Sequence, residues 1–284
     1  MRGLQTPVRA IRRQVFTEVA KLGFKANAET LVADMEAIPY EIVGEDSEVK
    51  YRESIYRARA VVRERLRLAM GLSLRPENKP VHLTAGVEAS NISEKYYEPP
   101  LMQVIPSGCE SCEENKYEVS NVCKGCLAHP CQEVCPRGAI SMVNGKSFID
   151  QDKCIKCGKC KSVCPYDAIA KKERPCKKAC GVNAITSDKL GRAYIDADKC
   201  VSCGMCMVSC PFGAISDKSQ IFQLTRALQE EGSEIIAEIA PAFVGQFGEN
   251  INPRNIKAAL IELGFKGVHE VALGADIGAV AEAH

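Results

Sequence analysis

Two stretches decide the fold: CIKCGKCKSVCP at residues 154–165 and CVSCGMCMVSCP at residues 200–211. In both, the cysteines are separated by two, two and three residues, and a proline follows the fourth cysteine. A loop of this kind can bring three thiolates to one point, and the proline ends it without an N–H that needs a partner. All 16 cysteines of the 284-residue chain lie between Cys109 and Cys210.

The spacing is that of bacterial ferredoxins, in which the fourth cysteine of each run binds the other cluster of a [4Fe–4S] pair. A third run at residues 123–136 has four residues between its second and third cysteines, and a degenerate fourth run keeps only Cys176 and Cys180. A similar tail follows the last cysteine of each run: PRGAI, PYDAI, GVNAI and PFGAI. The chain therefore carries four copies of one half-ferredoxin unit.

The four units form a longer repeat, because equivalent cysteines such as Cys131 and Cys176 recur 45 residues apart. The pair Asn144 and Gly145 predicts a β-hairpin with a type I′ turn between units one and two. The turn at residues 189–191 predicts a second hairpin between units three and four. The repeat predicts tandem two-[4Fe–4S] ferredoxin-like modules at residues 120–170 and 171–217.

The repeat allows the cysteines to be assigned to clusters. Unit three lacks its first two cysteines, so one of the four sets is incomplete. The crossed-ligand rule gives three complete sets: Cys123, Cys126, Cys131 and Cys164; Cys154, Cys157, Cys160 and Cys135; Cys200, Cys203, Cys206 and Cys180. Cys176 and Cys210 remain as half a site. We hypothesise that the loop of Cys109 and Cys112 folds back to complete a fourth cluster. The cofactors expected are therefore three or four [4Fe–4S] clusters.

Other arrangements of the cysteines stay open. Units one and four could pair with each other. Cys109-x2-Cys112 and Cys123-x2-Cys126 could together form a four-cysteine zinc site. Disulfides are disfavoured, because the N-terminal residues do not resemble a secretory signal and intracellular thiols stay reduced. His129, within unit one, is expected to donate a hydrogen bond rather than to bind a cluster.

Composition excludes several classes of partner. The formal net charge of +1 gives no sign of nucleic-acid or anionic-membrane binding, and no run of about 18 apolar residues could cross a membrane. Hydrophobic residues make up 46% of the chain, enough to bury a core, although only 6% are aromatic. We expect a cytoplasmic protein, and the density of cluster ligands suggests an anaerobic source.

Residues 1–75 are predicted to form a helical N-terminal region. Apolar residues recur at helical spacing over residues 7–23, and a second helix is expected from near Asn27 to just before Pro39. A third helix over residues 51–70 carries arginines that indicate either a solvated face or a docking site for an acidic electron donor: Arg52, Arg57, Arg59, Arg63, Arg65 and Arg67.

The remaining regions flank the two modules. Residues 76–119 are predicted to be a linker with Cys109, Cys112 and one short strand at residues 81–84. Residues 218–284 predict an incomplete α/β half-domain in the order β-α-β-α: a helix over 219–229, then a buried strand over 234–240, a helix over 255–263, a strand over 267–273 and a helix from 275. The predicted fold class is α+β, with helical, ferredoxin-like and α/β parts.

Several stretches resemble the [FeFe] hydrogenases, and in particular their group B branch. CKGCLAHPCQEVCPRGAI, RPCKKACGVNAI and CVSCGMCMVSCPFGAI, which begin at residues 123, 174 and 200, resemble its accessory cluster region. EIAPAFVGQFGE at 238–249 and LGFKGVHEVALGAD at 263–276 resemble the opening of the catalytic domain. The resemblance implies a ferredoxin-linked hydrogenase whose hydrogen-forming H-cluster is bound by cysteines downstream of these stretches.

This chain has no cysteine after Cys210, so it supplies no ligand for the H-cluster and no catalytic residue is assigned. We expect either a fragment of a longer hydrogenase or a short protein that only carries electrons. The predicted function is electron transfer through the accessory clusters, with ferredoxin or a similar soluble carrier as donor or acceptor. The exposed C-terminal sheet edge is a possible second partner surface. The alternative is a stand-alone polyferredoxin-like carrier, or an iron–sulfur docking or sensory subunit.

Overall fold

The computed structural model describes residues 5–25, 29–45, 52–90, 99–248 and 250–283. The helices are α1 (Pro7–Lys25), α2 (Leu31–Ile42), α3 (Ile55–Ala69), α4 (Val87–Ser90), α5 (Pro130–Glu133), α6 (Lys159–Ser162), α7 (Pro175–Lys178), α8 (Met205–Ser209), α9 (Ile221–Ala227), α10 (Pro253–Glu262) and α11 (Val271–Glu282). The strands are β1 (Met102–Val104), β2 (Lys116–Val119), β3 (Ile140–Val143), β4 (Lys146–Ile149), β5 (Ile169–Lys172), β6 (Ile185–Ser187), β7 (Ala193–Ile195), β8 (Ile215–Asp217), β9 (Ile236–Ile239) and β10 (Gly267–Glu270).

The chain divides into two compact units. The cysteine-rich unit has its described residues within 1–10, 48–61 and 99–217, and the second unit has them within 11–47, 62–98 and 218–284. Helices and small two-stranded sheets are mixed along the chain, as the α+β class predicts. Among the described residues, no helix combines the length and the apolar character needed to cross a bilayer.

Both predicted hairpins of the cysteine-rich unit are confirmed. Strand β3 pairs with β4 around Asn144 and Gly145, whose φ angles of 50° and 73° are those that a type I′ turn requires. Strand β6 pairs with β7, and Gly191 lies in the connecting turn with φ 76°. These hairpins separate the two cysteine runs of each predicted module.

Two further strand pairs involve the predicted linker. Strand β2 pairs antiparallel with β5, and β1 pairs antiparallel with β8. Each predicted module therefore receives a strand from residues 76–119, although the module boundaries stay a prediction. The sequence did not reveal these strands, because they are three or four residues long and their partners are distant in the chain.

The core of the second unit is helical. Val19 of α1, Met35 of α2, Leu66 of α3 and Phe222 of α9 are almost fully buried, each at 1% exposure or less. The predicted end of the second helix before Pro39 is wrong, because α2 continues to Ile42. Pro39 is buried and its carbonyl oxygen accepts the N–H of Val43 (3.2 Å), so packing and the remaining hydrogen bonds outweigh the missing donor. Asn27, the predicted N-cap, lies outside the described residues.

Two of the six arginines near α3 are buried. None of the six is exposed, and Arg65 and Arg67 are buried, so the predicted solvated or docking face is wrong for these two. The Arg67 guanidinium donates to the carbonyl oxygens of Ser73, Leu83 and Ala85 at 2.6–2.9 Å. Residues 83–86 form a turn, so the strand predicted at residues 81–84 is wrong.

The C-terminal elements keep the predicted order but not the predicted burial. Strands β9 and β10 form a parallel pair, as expected. No residue of β9, α10 or α11 is buried, so the prediction of a buried strand is wrong. A two-stranded sheet leaves both outer edges and much of each face exposed. Ile236, Leu273 and Ile277 are accordingly more than half exposed.

We expect the β9–β10 pair to exchange its amide protons quickly, because its edges are open and little of it is buried. Hydrogen-exchange mass spectrometry should show much weaker protection over residues 236–239 and 267–270 than over residues 61–69 of α3. Protection that rises with protein concentration would indicate pairing of two copies through the edge. Strong protection of both strands in a dilute monomer would contradict the expectation.

Candidate metal centres

The same backbone turn occurs at four Cys-x-x-Cys pairs: Cys109 and Cys112, and the first pair of each full cysteine run. The residue before the second cysteine is left-handed in every loop: Ser111 (φ 46°), Gly125 (57°), Lys156 (59°) and Ser202 (55°). For residues other than glycine this conformation costs about 1–3 kcal/mol and persists only where the surroundings impose it. Its recurrence shows that the loop of Cys109 and Cys112 has the local geometry of the three cluster-binding loops that the cysteine spacing predicts.

A second turn follows the last cysteine of each unit. The third residue after that cysteine is again left-handed: Gly138, Asp167, Asn183 and Gly213. The next residue is always alanine, and its N–H donates to the cysteine Sγ: Ala139 to Cys135 (3.3 Å), Ala168 to Cys164 (3.3 Å), Ala184 to Cys180 (3.2 Å) and Ala214 to Cys210 (3.4 Å). These donors stabilise negative charge on sulfur. The sequence showed the shared tail but not this role.

Two of the predicted ligand sets line cavities of similar size. Cys123, Cys126, Cys131 and Cys164 surround one of about 330 Å³, and Cys135, Cys154, Cys157 and Cys160 surround one of about 340 Å³; both volumes include some open solvent. In each, three cysteines come from one run and the fourth from the other. The donor chemistry suits iron–sulfur clusters, since all four groups are thiols and at least one accepts a backbone N–H.

The third set is Cys180, Cys200, Cys203 and Cys206. Cys180, Cys200 and Cys206 belong to one hydrophobic cluster, and Cys203 is exposed. Burial, together with the charges of the neighbouring Cys200 and Cys203, raises the pKa of Cys206 to about 11. A bound metal centre offsets this cost, because its positive charge favours the thiolate.

Cys109 and Cys112 line a third cavity, together with Cys176 and Cys210, again of about 330 Å³ with some open solvent. Burial raises the pKa of Cys176 to about 12, and the charges of Cys210 and Cys109 act in the same direction. Burial also raises the pKa of Cys112. The fold therefore brings these four thiols together from three separate segments of the chain.

The alternative zinc motif is divided between two cavities. Cys109 and Cys112 lie at one, whereas Cys123 and Cys126 lie at the other. Among the residues that the structure describes, no three histidine, cysteine, aspartate or glutamate side chains are arranged to hold a single metal ion.

One residue that the sequence did not single out also lines the Cys109 cavity. The Arg174 side chain is only 3% exposed, and its guanidinium donates to the Cys112 carbonyl oxygen. The only signal in the sequence was a charged residue directly before Pro175 and Cys176, which is not enough to predict a buried arginine.

Comparison with known protein families bears on the cofactor. Residues 148–170 and 193–216 match the profile of the 4Fe-4S binding domain. These two segments are similar to 4Fe-4S binding domains. Residues 233–284 match the C-terminal domain of the iron-only hydrogenase large subunit. Together these matches support a likeness to the iron-only hydrogenases and their iron–sulfur domains.

Similar proteins include an uncharacterized ferredoxin of Methanocaldococcus jannaschii, 38% identical over 23% of this chain and 39% of its own length. A probable iron-sulfur protein encoded in the Frd operon of Proteus vulgaris is 41% identical over 24% of this chain and 44% of its own length. Electron transport protein HydN of Escherichia coli is 43% identical over 20% and 32%. The chain thus spans less than half the length of these relatives. They support an iron–sulfur electron-carrier role for the cysteine-rich part.

We expect Gly125→Ala to remove the iron of the Cys123 cavity, because an added Cβ would lie 2.0 Å from the Gly145 carbonyl oxygen. Gly138→Ala is the matched control: its φ of 55° is nearly that of Gly125, but the space around it is open. Both variants carry the same left-handed cost of about 1–3 kcal/mol.

Iron and sulfide per chain, measured after anaerobic purification, separate the two effects. Gly125→Ala should lose one cluster's iron while Gly138→Ala keeps all of it. Equal iron content in the two variants would show that the close approach to Gly145 does not matter.

Proposed function

We propose that this chain is the electron-transfer part of an [FeFe]-hydrogenase-like protein, in which sets of four cysteines hold [4Fe–4S] clusters. The observation that carries the proposal is that cysteines from separate runs line common cavities, as the crossed-ligand rule of paired-cluster ferredoxins requires. A bound [4Fe–4S] cluster exchanges one electron between its 2+ and 1+ states without making or breaking a bond.

The protein's contribution is to hold the thiolates and to set their surroundings. Cys131, Cys160 and Cys206 are buried, whereas Cys157 and Cys203 are exposed. The Cys154 set and the Cys200 set thus each combine a buried cysteine with one that is exposed to solvent. Backbone N–H groups on the sulfurs and the degree of exposure are the main means by which a protein tunes such potentials.

The exposed Cys157 marks a surface where a redox partner could exchange electrons with the Cys154 set. Four exposed lysines lie within four residues of Cys157 in the sequence: Lys153, Lys156, Lys159 and Lys161. The apolar side chain of Ile155 is 56% exposed beside them. A basic rim around an apolar patch fits an acidic one-electron carrier of the ferredoxin type.

The C-terminal part supports the hydrogenase assignment. Residues 233–284 contain no cysteine, so hydrogen formation from two protons and two electrons would take place outside the 284 residues. The exposed apolar side chains of β9, α10 and α11 would then pack against further protein. Membership of the group B branch, a cytoplasmic location and an anaerobic source remain parts of the proposal.

The second candidate function is a carrier without hydrogenase chemistry. It is favoured by the similarity of the cysteine-rich part to proteins such as electron transport protein HydN of Escherichia coli. A docking or sensory iron–sulfur protein would use the exposed sheet edge at β9 and β10. Both candidates share the same cluster-binding residues.

Anaerobically prepared protein should contain iron and acid-labile sulfide in equal amounts, and dithionite should produce the electron paramagnetic resonance (EPR) signals of reduced [4Fe–4S] centres. Hydrogen evolution from reduced dye should be absent, because no cysteine remains to anchor a hydrogen-forming cofactor. Stoichiometric zinc with little sulfide would contradict the cluster assignment. Hydrogen evolution by the pure chain would contradict the separation of electron transfer from catalysis.

We expect Lys156→Glu with Lys159→Glu to slow electron exchange with an acidic ferredoxin severalfold and to weaken its dependence on salt, because the charge of the four lysines falls to zero. Lys178→Glu with Lys189→Glu, at other exposed positions, makes the same change in net charge and is the control. Stopped-flow reduction by a photoreduced ferredoxin measures both. Equal rates in the two double variants would place the docking surface elsewhere.

A further inference from the structure

We propose that Cys109, Cys112, Cys176 and Cys210 hold a further [4Fe–4S] cluster, in a ferredoxin module that is interrupted by the insertion of a second module. The inference rests on the proposed cluster-binding function and adds a site whose ligands come from three segments of the chain. Residues 113–175, which include the complete Cys123–Cys164 region, lie between Cys112 and Cys176.

The strand pairings define the interruption. In the inserted module, β2 precedes the first cysteines and pairs with the last strand, β5; in the interrupted module, β1 and β8 have these roles. In both modules, the residue directly after the first strand donates a hydrogen bond to the residue directly before the last strand. The N–H of Ser120 donates to Ala168 O (2.7 Å), and the N–H of Ile105 donates to Ala214 O (2.7 Å).

Most residues that line the cavity of the interrupted module have a counterpart in the Cys123 cavity. Each has a valine from its first strand, a proline before the third cysteine and an isoleucine from its last strand: Val104, Pro175 and Ile215 in one, Val119, Pro130 and Ile169 in the other. Strand residues also bond to the first cysteine in both. The N–H of Ala193 donates to Cys109 Sγ (3.4 Å), and the backbone of Ser147 bonds to Cys123.

The interruption breaks a loop that is continuous in the inserted module. There, four residues join Cys126 to Cys131, and the His129 N–H donates to the Cys126 carbonyl oxygen (3.2 Å). In the interrupted module the residue at the place of His129 is Arg174. Its guanidinium donates to the carbonyl oxygen of Cys112 through Nη2 (2.9 Å) and Nε (3.1 Å). A side chain thus replaces the backbone contact that the insertion removed.

Arg174 also fastens this loop to the hairpin beside it. Its guanidinium donates to the carbonyl oxygens of Gly191 (2.7 Å) and Thr186 (3.3 Å) and forms an ion pair with Glu114 (2.8 Å). These contacts satisfy a buried charge that would otherwise be costly. They fix the chain on the C-terminal side of Cys112.

Arg52 fixes the opposite side of the loop. Its Nη2 donates to the carbonyl oxygens of Gly108 (2.7 Å) and Phe212 (2.6 Å), and its Nη1 pairs with Glu110 (2.7 Å). Gly108 precedes Cys109, and Phe212 lies two residues after Cys210. Arg52 and Arg174 are therefore positioning residues that hold cysteines from separate segments around one cavity.

The first experiment compares three double variants by iron and sulfide content and by EPR. Cys109→Ala with Cys112→Ala should lose about four iron ions, as one [4Fe–4S] centre holds. Cys176→Ala with Cys210→Ala should lose the same EPR component. Cys123→Ala with Cys126→Ala is the matched control, which should lose the same amount of iron but a different component.

The outcomes separate this site from the general function. Wild-type protein without iron and sulfide would refute the proposed function itself. If the wild type contains iron and the Cys109→Ala, Cys112→Ala double variant contains just as much, only the additional site would be refuted. Loss of different EPR components in the first two variants would likewise show that these cysteines do not share a cluster.

Arg174 variants test the site while leaving every cysteine in place. Arg174→Gln should lower the occupancy of this cluster and lower the midpoint potential of the remaining fraction, since a positive charge favours the more negative reduced state. Arg174→Lys keeps the charge but not the two-pronged contact, so it should lower occupancy without lowering the potential. Lys178→Gln, at the exposed end of the helix that follows Arg174, is the control. Wild-type iron content and potentials in Arg174→Gln would overturn the positioning role.

Discussion

A cluster site in the cysteine-rich unit depends on bringing two cysteine loops together across short strand pairs. Each pair contains only three or four residues per strand, which gives little stability by itself. The two hydrophobic clusters beneath the strands are small and include cysteines among their buried members, such as Cys131 and Cys176. Metal binding and folding should therefore be strongly coupled in this unit, because the bound clusters cross-link loops that the protein core alone holds weakly.

Buried arginines are the second structural device of the chain. The loop at residues 106–115 has little regular structure, and Arg52 and Arg174 supply donors to its carbonyl oxygens. In the second unit, Arg67 does the same for the turn that contains Leu83. A buried guanidinium needs hydrogen-bond acceptors for its N–H groups and a counter-charge. Removing its partners would therefore destabilise the fold more than breaking an exposed ion pair does.

The cysteine loops and hairpins could be predicted from sequence because their geometry is local. Cysteine spacing, the Asn144-Gly145 pair and the alanine-containing tails each specify a turn within a few residues. The strands β1 and β2 could not, because three or four residues carry little pattern and their pairing depends on distant partners. The burial of Arg65 and Arg67 escaped prediction for a related reason: charge suggests solvent, whereas the carbonyl oxygens that accept the hydrogen bonds of Arg67 belong to other segments. The nested order of the modules is visible only once the strand pairs are known.

Diffraction from crystals of the anaerobically purified protein, recorded at the iron absorption edge, would locate each cluster. We expect four separate iron peaks in the cysteine-rich unit, one of them between Cys109, Cys112, Cys176 and Cys210. Three iron peaks, or a metal peak that joins Cys109 and Cys112 to Cys123 and Cys126, would contradict this expectation.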